Sequence, residues 1–137
     1  CGKMYYNQYK ELVSSDNIKI YPFLERIDLA FSVSDYIVSR AGAGSISELR
    51  IVGKPVIFIP SPNVAEDHQT KNAQSLVNAG ASRILFEKSL AGKDLYHAMM
   101  NLIHNKAELK KMGDASKKLG HPNATKEIVD QIIEAAA

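Results

Sequence analysis

The sequence has little of several features that define other classes of protein. Cys1 is its only cysteine, which excludes an internal disulfide framework and fits a reducing compartment. No apolar run approaches the roughly 20 residues of a membrane span, and no signal-peptide pattern opens the chain. The net charge of +2 is too small to suggest nucleic-acid binding by itself, so we predict no nucleic-acid partner.

Metal-binding patterns are also missing. The four histidines have no paired spacing with cysteine or with one another, so we predict neither a metal nor another cofactor. The chain has no repeat, low-complexity tract or linker, and its 137 residues are enough for one domain with a real core. It enters a helical pattern directly at Cys1, without a first strand, so we expect it to be a piece of a longer protein.

What the sequence does contain is an alternation of strand and helix patterns. Strands are predicted at residues 18–21, 36–39, 56–59 and 82–86. Helices are predicted at residues 5–13, 23–31, 45–52, 68–79, 91–104, 106–119 and 123–136, with Gly53 and Gly80 ending the third and fourth and Asn123 as an N-cap. This order predicts an α/β protein, with a Rossmann-like, mostly parallel sheet flanked by helices.

A run of small residues, Ala41-Gly42-Ala43-Gly44-Ser45, connects one predicted strand to the next helix. Ligands of parallel sheets bind beyond the carboxyl ends of the strands. Small residues allow close approach to the backbone, and a helix N-terminus offers unpaired N–H groups to an anion. We therefore predict a phosphate-bearing ligand here, although a tight connection without a ligand would also use glycine.

Glu48 follows Ser45 at the spacing of a capping box, so this pair could simply close the helix end. Alternatively, the Glu48 carboxylate could accept hydrogen bonds from a vicinal diol such as a ribose. Arg40, just before the small residues, could be a phosphate partner or a surface charge.

Polar residues also begin the next helix, where His68 and Asn72 share a face and Gln69 is adjacent. Together they supply the donors and acceptors that a polyhydroxylated ligand requires, although a solvent-exposed polar turn is an alternative. We predict no catalytic role for His68, because no Ser, Cys or Asp at fixed spacing completes a relay. Near the first predicted strand, free backbone groups of Leu24 could read the edge of a flat base, whereas Phe23 fits core packing.

Taken together, these motifs resemble the carboxyl-terminal half of the MurG family. They are Pro22-Phe23-Leu24, residues 34–43, Ser47-Glu48-Leu49, residues 53–60 and residues 67–73. The family consists of GT-B glycosyltransferases that transfer N-acetylglucosamine from UDP-N-acetylglucosamine (UDP-GlcNAc) to lipid I, giving lipid II for peptidoglycan. The resemblance extends from Gly2-Lys3 to the final helices.

The resemblance implies that residues 1–137 are the donor-binding half of a GT-B fold, lacking its first strand and helix. The implied substrate-binding residues are Leu24 for uracil, Glu48 for the ribose, Ala43, Gly44 and Ser45 for the diphosphate with Arg40 nearby, and His68, Gln69 and Asn72 for the sugar. Many relatives carry two glutamines where His68-Gln69 stands. The implied reaction inverts the anomeric centre by direct displacement, with UDP leaving.

The resemblance also implies that lipid I is bound by an amino-terminal domain absent from this chain. The full-length protein would be cytoplasmic and peripheral on the inner face of the bacterial membrane. No catalytic base is predicted here, and we expect these residues alone to be inactive as a transferase. Two alternatives are a non-catalytic nucleotide-sugar-binding subunit of a two-chain glycosyltransferase and part of a UDP-GlcNAc epimerase.

Overall fold

A computed structural model describes residues 1–63 and 67–136, which form two compact units. The first unit, Cys1–Val33, contains α1 (Tyr6–Glu11) and α2 (Ile27–Val33). The second unit begins at Ser34 and contains a sheet with its covering helices.

In chain order, the elements of the second unit are β1 (Ile37–Ser39), α3 (Ala43–Val52), β2 (Val56–Phe58), α4 (His68–Asn78), β3 (Ser82–Ile84), a 3₁₀ turn (Glu87–Ser89), α5 (Gly92–Ile103), α6 (Lys106–Lys118) and α7 (Ala124–Ala135). The strands pair in the order β1-β2-β3, all parallel, with Ile37 opposite Val56 and Val56 opposite Ser82. The predicted α/β class with a parallel sheet is confirmed.

The central strand β2 is apolar throughout because the sheet is covered on both faces. Val56, Ile57 and Phe58 are all fully buried, as expected for the middle strand of a parallel sheet. Ile57 packs in a cluster with Leu102 of α5 and Met112 of α6. This core fixes β2, and with it the position where the chain leaves the sheet.

Gly53 ends α3, and Gly80 directly follows Ala79, the C-cap of α4, so both glycines lie at helix ends as predicted. Gly53 takes the left-handed conformation with φ 67°, and its N–H donates to the carbonyl of Leu49 at 3.0 Å. Gly80 is also left-handed, with φ 70°. Asn123 occupies the predicted N-cap position of α7, although its side chain makes no capping hydrogen bond.

Two predictions in the first unit are wrong. Residues 18–21 are not a strand, because the three strands of the described sheet pair only with one another and leave this segment without a ladder. The second helix begins at Ile27 rather than at residue 23. The Arg26 carbonyl accepts the first bonds of α2, from Leu29 and Ala30, and Asp28 favours the helix N-terminus electrostatically.

Within the described ranges 1–63 and 67–136, the helices are too short or too polar to cross a membrane.

Candidate functional site

The carboxyl ends of the three strands meet at one edge of the second unit. Arg40 follows β1, Ile59 to Ser61 follow β2, and the 3₁₀ turn that starts at Glu87 comes shortly after β3. We call this edge, residues 40–45, 59–61, 68–72 and 85–87, the sheet mouth. It contains eight of the nine predicted substrate-binding residues when Glu48, one turn further along α3, is included.

The helix α3 opens at the sheet mouth without a side-chain cap. Gly42 is the N-cap, with φ −66° and ψ 148°, and its carbonyl accepts from the N–H of Ile46 at 2.9 Å. The predicted start at Ser45 is therefore wrong by two residues, and Ser45 lies inside the first turn instead of capping it. The N–H groups of a helix's first turn have no acceptor within the helix, so they are available to an anion.

Gly42 and Gly44 are not explained by the fold itself. Neither has a positive φ. Against the described residues, a Cβ at Gly44 would meet no heavy atom within 4 Å, and one at Gly42 would meet only the Ser45 hydroxyl at 3.9 Å. The backbone conformation and the packing of the described residues therefore do not require glycine at either position.

Gln69 connects the ends of two strands through its side-chain oxygen. Its Oε1 accepts from the Ser61 N–H at 2.9 Å and from the Ala41 N–H at 3.3 Å. Two N–H groups pointing at one amide atom identify that atom as oxygen, because nitrogen would present hydrogens to both. The NH₂ group of Gln69 is therefore the end left for a ligand.

Asn72 has the opposite orientation. Its Nδ2 donates to the Ala41 carbonyl at 3.4 Å, which leaves the side-chain oxygen of Asn72 to accept a hydrogen bond from a ligand. Gln69 and Asn72 thus offer one donor and one acceptor, and both side chains are anchored on Ala41, which is fully buried. A hydroxyl group both donates and accepts, so this pair matches a sugar hydroxyl.

His68, in the first turn of α4, and Glu48, in the second turn of α3, are both exposed. His68 begins α4 directly after Asp67, whose left-handed φ of 56° sets the direction in which the helix leaves. Within residues 1–63 and 67–136, no hydrogen bond or ion pair engages the Glu48 carboxylate. Glu48 is therefore available to accept hydrogen bonds from a ligand.

Arg40 is engaged by three acceptors at the sheet mouth. Its Nη1 donates to the Ile59 carbonyl at 3.0 Å and the Pro60 carbonyl at 3.4 Å, and it forms an ion pair with Glu87. The hydrogen bond from Arg40 lowers the pKa of Glu87, and the same bond raises the pKa of Arg40. Sequence reasoning missed Glu87, although its position just after a predicted strand was the available signal.

Leu24 lies in the first unit, between Pro22 and the start of α2. It is 42% exposed, and its backbone N–H and C=O make no hydrogen bond to any described residue. It lines a groove of about 650 Å³ together with Tyr9, Ile20 and Phe23. Phe23 was expected to pack in the core but is 72% exposed, because it lies in the irregular segment before α2.

Sequence comparison identifies the family to which this geometry belongs. Residues 1–128 match the family model described as the Glycosyltransferase family 28 C-terminal domain. The chain belongs to this family.

Relatives in family 28 carry one shared name, UDP-N-acetylglucosamine--N-acetylmuramyl-(pentapeptide) pyrophosphoryl-undecaprenol N-acetylglucosamine transferase. The chain is 48% identical over 134 residues to that of Flavobacterium psychrophilum, covering 98% of the chain and 36% of the relative. It is 42% identical over 131 residues to that of Christiangramia forsetii, covering 96% of the chain and 35% of the relative. The chain thus spans little more than a third of the length of these relatives.

A solved structure supports the same assignment. The crystal structure of Acinetobacter baumannii MurG is similar with a TM-score of 0.88 and 30% identity, over 98% of this chain and 40% of that protein. The resemblance to MurG and the Rossmann-like α/β fold of one GT-B half are therefore confirmed.

Proposed function

We propose that this chain binds the UDP-GlcNAc donor of an inverting GT-B glycosyltransferase that converts lipid I to lipid II in peptidoglycan synthesis. One observation carries the proposal: the start of α3, which has no side-chain cap, lies beside an amide pair that is complementary to a hydroxyl. Ala41 joins the two features, since it precedes Gly42 in the chain and bonds to both Gln69 and Asn72. A sugar attached to a diphosphate presents the matching groups, hydroxyls next to negative charge.

The diphosphate binds at the first turn of α3 in this proposal. The N–H groups of Ala43, Gly44 and Ser45 point out of the helix start, and the helix dipole places partial positive charge there. As the glycosidic bond to the donor breaks, negative charge grows on the departing UDP. Fixed backbone dipoles stabilise this charge without having to reorganise.

The remaining parts of the donor are the sugar, the ribose and the uracil. The sugar hydroxyls bind the NH₂ of Gln69 and the oxygen of Asn72, with His68 beside them at the start of α4. Glu48 accepts hydrogen bonds from the ribose diol, and the backbone of Leu24 reads the uracil edge. We accordingly propose residues 1–137 as the donor-binding domain.

The acceptor is assigned to parts of the transferase outside this chain. The name that these relatives share specifies an acceptor linked to undecaprenol, a membrane lipid. We therefore propose that the full-length protein works at the inner face of the cell membrane and binds lipid I outside the donor domain. The general base that activates the acceptor hydroxyl is not assigned to any residue of this chain.

Binding of UDP-GlcNAc to the full-length gene product, measured by isothermal titration calorimetry, tests the proposal. Glu48→Ala removes a carboxylate acceptor, so we expect the affinity to fall about 10- to 100-fold. This range corresponds to the usual free-energy contribution of hydrogen bonds to a charged group. Glu11→Ala, an exposed carboxylate at the end of α1, is the control and should leave the affinity unchanged. Equal affinity of the Glu48→Ala variant and the wild type would remove Glu48 from the donor site, and no binding by the wild type would reject the function.

A further inference from the structure

We propose that Arg40 and Glu87 are positioning residues of the donor site, and not direct ligands of the diphosphate. Their ion pair fixes the ends of the three strands, so that Gln69 and Asn72 present the correct atoms to the sugar. This inference rests on the proposed function. It replaces the phosphate contact that the resemblance implies for Arg40 with a positioning role, and it adds Glu87.

One guanidinium connects all three strand ends. Arg40 itself follows β1, the carbonyls of Ile59 and Pro60 follow β2, and Glu87 lies just beyond β3. Every one of these contacts uses the same nitrogen, Nη1, at 3.0 Å and 3.4 Å for the two carbonyls. Arg40 thereby adds side-chain bonds where the backbone ladder of the three-residue strands has ended.

These strand ends also carry the groups that orient Gln69. Arg40 is bonded covalently to Ala41, and Pro60 to Ser61. The N–H groups of Ala41 and Ser61 are the two donors that hold Gln69 Oε1, at 3.3 Å and 2.9 Å. A shift between the ends of β1 and β2 would therefore pull the two donors apart and release the amide of Gln69.

The charges at the sheet mouth also favour a positioning role for Arg40. Glu87 already compensates the charge of Arg40, and both side chains are about half exposed, 51% and 43%. The uncapped start of α3 supplies other donors for a diphosphate, so the site does not require this guanidinium as a ligand. The two roles predict opposite effects of removing Glu87: a positioning pair loses function, whereas a phosphate-binding arginine freed from its carboxylate binds the anion more tightly.

The test uses the full-length gene product in Arg40→Ala, Glu87→Ala and double-variant forms, with UDP and UDP-GlcNAc titrated separately. An exposed pair on a structured framework contributes modestly, so each single variant should bind UDP-GlcNAc about 3- to 10-fold more weakly. The double variant should be no weaker than the worse single variant, because the two residues act as one unit. Binding of UDP, which lacks the sugar, should change less than about 2-fold.

A conservative replacement and a matched control sharpen the result. Arg40→Lys keeps a charged nitrogen with three donors for the same acceptors, so it should restore part of the UDP-GlcNAc affinity. Asp114→Ala breaks an exposed Lys110–Asp114 pair on α6 and should change neither affinity. Partial misfolding would lower the binding stoichiometry rather than the dissociation constant, so the measured affinity ratio still decides between the roles.

Tighter UDP binding by Glu87→Ala, or equal losses for UDP and UDP-GlcNAc in Arg40→Ala, would overturn the positioning role and make Arg40 a phosphate ligand. These results differ from a failure of the proposed function, in which the wild-type protein itself would bind neither ligand.

Discussion

Gly44, near the start of α3, is a glycine that the packing of the described residues does not require. It occupies the second position of α3, and a Cβ there would meet no heavy atom of the described residues within 4 Å. A glycine inside a helix costs up to about 1 kcal/mol relative to alanine. Glycine at this position therefore lowers the stability of the protein relative to alanine, and we propose that it is there because the donor diphosphate approaches the backbone.

We expect Gly44→Ala to stabilise the protein by about 0.5–1 kcal/mol while weakening UDP binding roughly 10-fold or more. The methyl group improves helix propensity but occupies the space through which the diphosphate reaches the α3 amides. Thermal unfolding and calorimetric titration measure the two effects. Gly92→Ala is the matched control, because Gly92 also lies at a helix start with open space around it. This variant should show a similar gain in stability and an unchanged affinity for UDP. Unchanged UDP affinity in Gly44→Ala would place the diphosphate elsewhere.

At the scale of elements, α6 packs closely against the end of α3. Gly113 of α6 is buried, and a Cβ there would lie 2.8 Å from the Gly53 carbonyl oxygen. Gly53 in turn lies close to Lys117, since a Cβ on Gly53 would be 3.0 Å from the Cβ of Lys117. This approach holds the turn between α3 and β2 and so supports the strand that ends at the sheet mouth.

Gly113→Ala should destabilise the protein by about 1–2 kcal/mol, because overpacking against a carbonyl outweighs the gain in helix propensity. The shift in the urea midpoint, with Gly92→Ala shifting in the opposite direction, provides the measurement. UDP affinity of the folded fraction should stay the same, since Gly113 lies outside the donor site. A stabilised Gly113→Ala variant would show that α6 does not pack so closely against the α3–β2 turn.

At the scale of the molecule, this chain contains the proposed donor groups but spans only 36% of its relative from Flavobacterium psychrophilum. None of the residues of α7 is buried, and Ile128, Ile132 and Ile133 are each at least 60% exposed. Ile128 and Ile132, together with part of α3, line a cavity of about 940 Å³ that contains none of the predicted substrate-binding residues. The proposed donor site is therefore a separate region at the strand ends.

We expect residues 1–137 alone to make no lipid II from lipid I and UDP-GlcNAc, because the base and the acceptor site are assigned outside them. An assay with a radiolabelled sugar donor, run beside the full-length gene product, measures this directly. Lipid II formed by residues 1–137 alone would contradict the assignment and place acceptor binding within this chain.

The order and type of most elements, and the family, could be predicted from the amino-acid sequence alone. Apolar runs at residues 36–39 and 56–59 predicted strands that formed, and Gly53 predicted the end of α3, because these signals depend on near neighbours in the chain. The segment 18–21 had the same kind of signal and formed no strand, since a strand also needs a partner. The motifs also predicted the candidate residues of the site.

The hydrogen-bond partners of those residues, in contrast, depend on contacts between distant segments of the folded chain. The pairing of Arg40 with Glu87 joins positions 47 residues apart. The side-chain oxygen of Gln69 accepts hydrogen bonds from Ala41 and Ser61, which are 28 and 8 residues away in the chain. No local pattern specifies such pairs, because they depend on the register of the parallel strands. That register determines which donor and acceptor atoms Gln69 and Asn72 have left for a ligand.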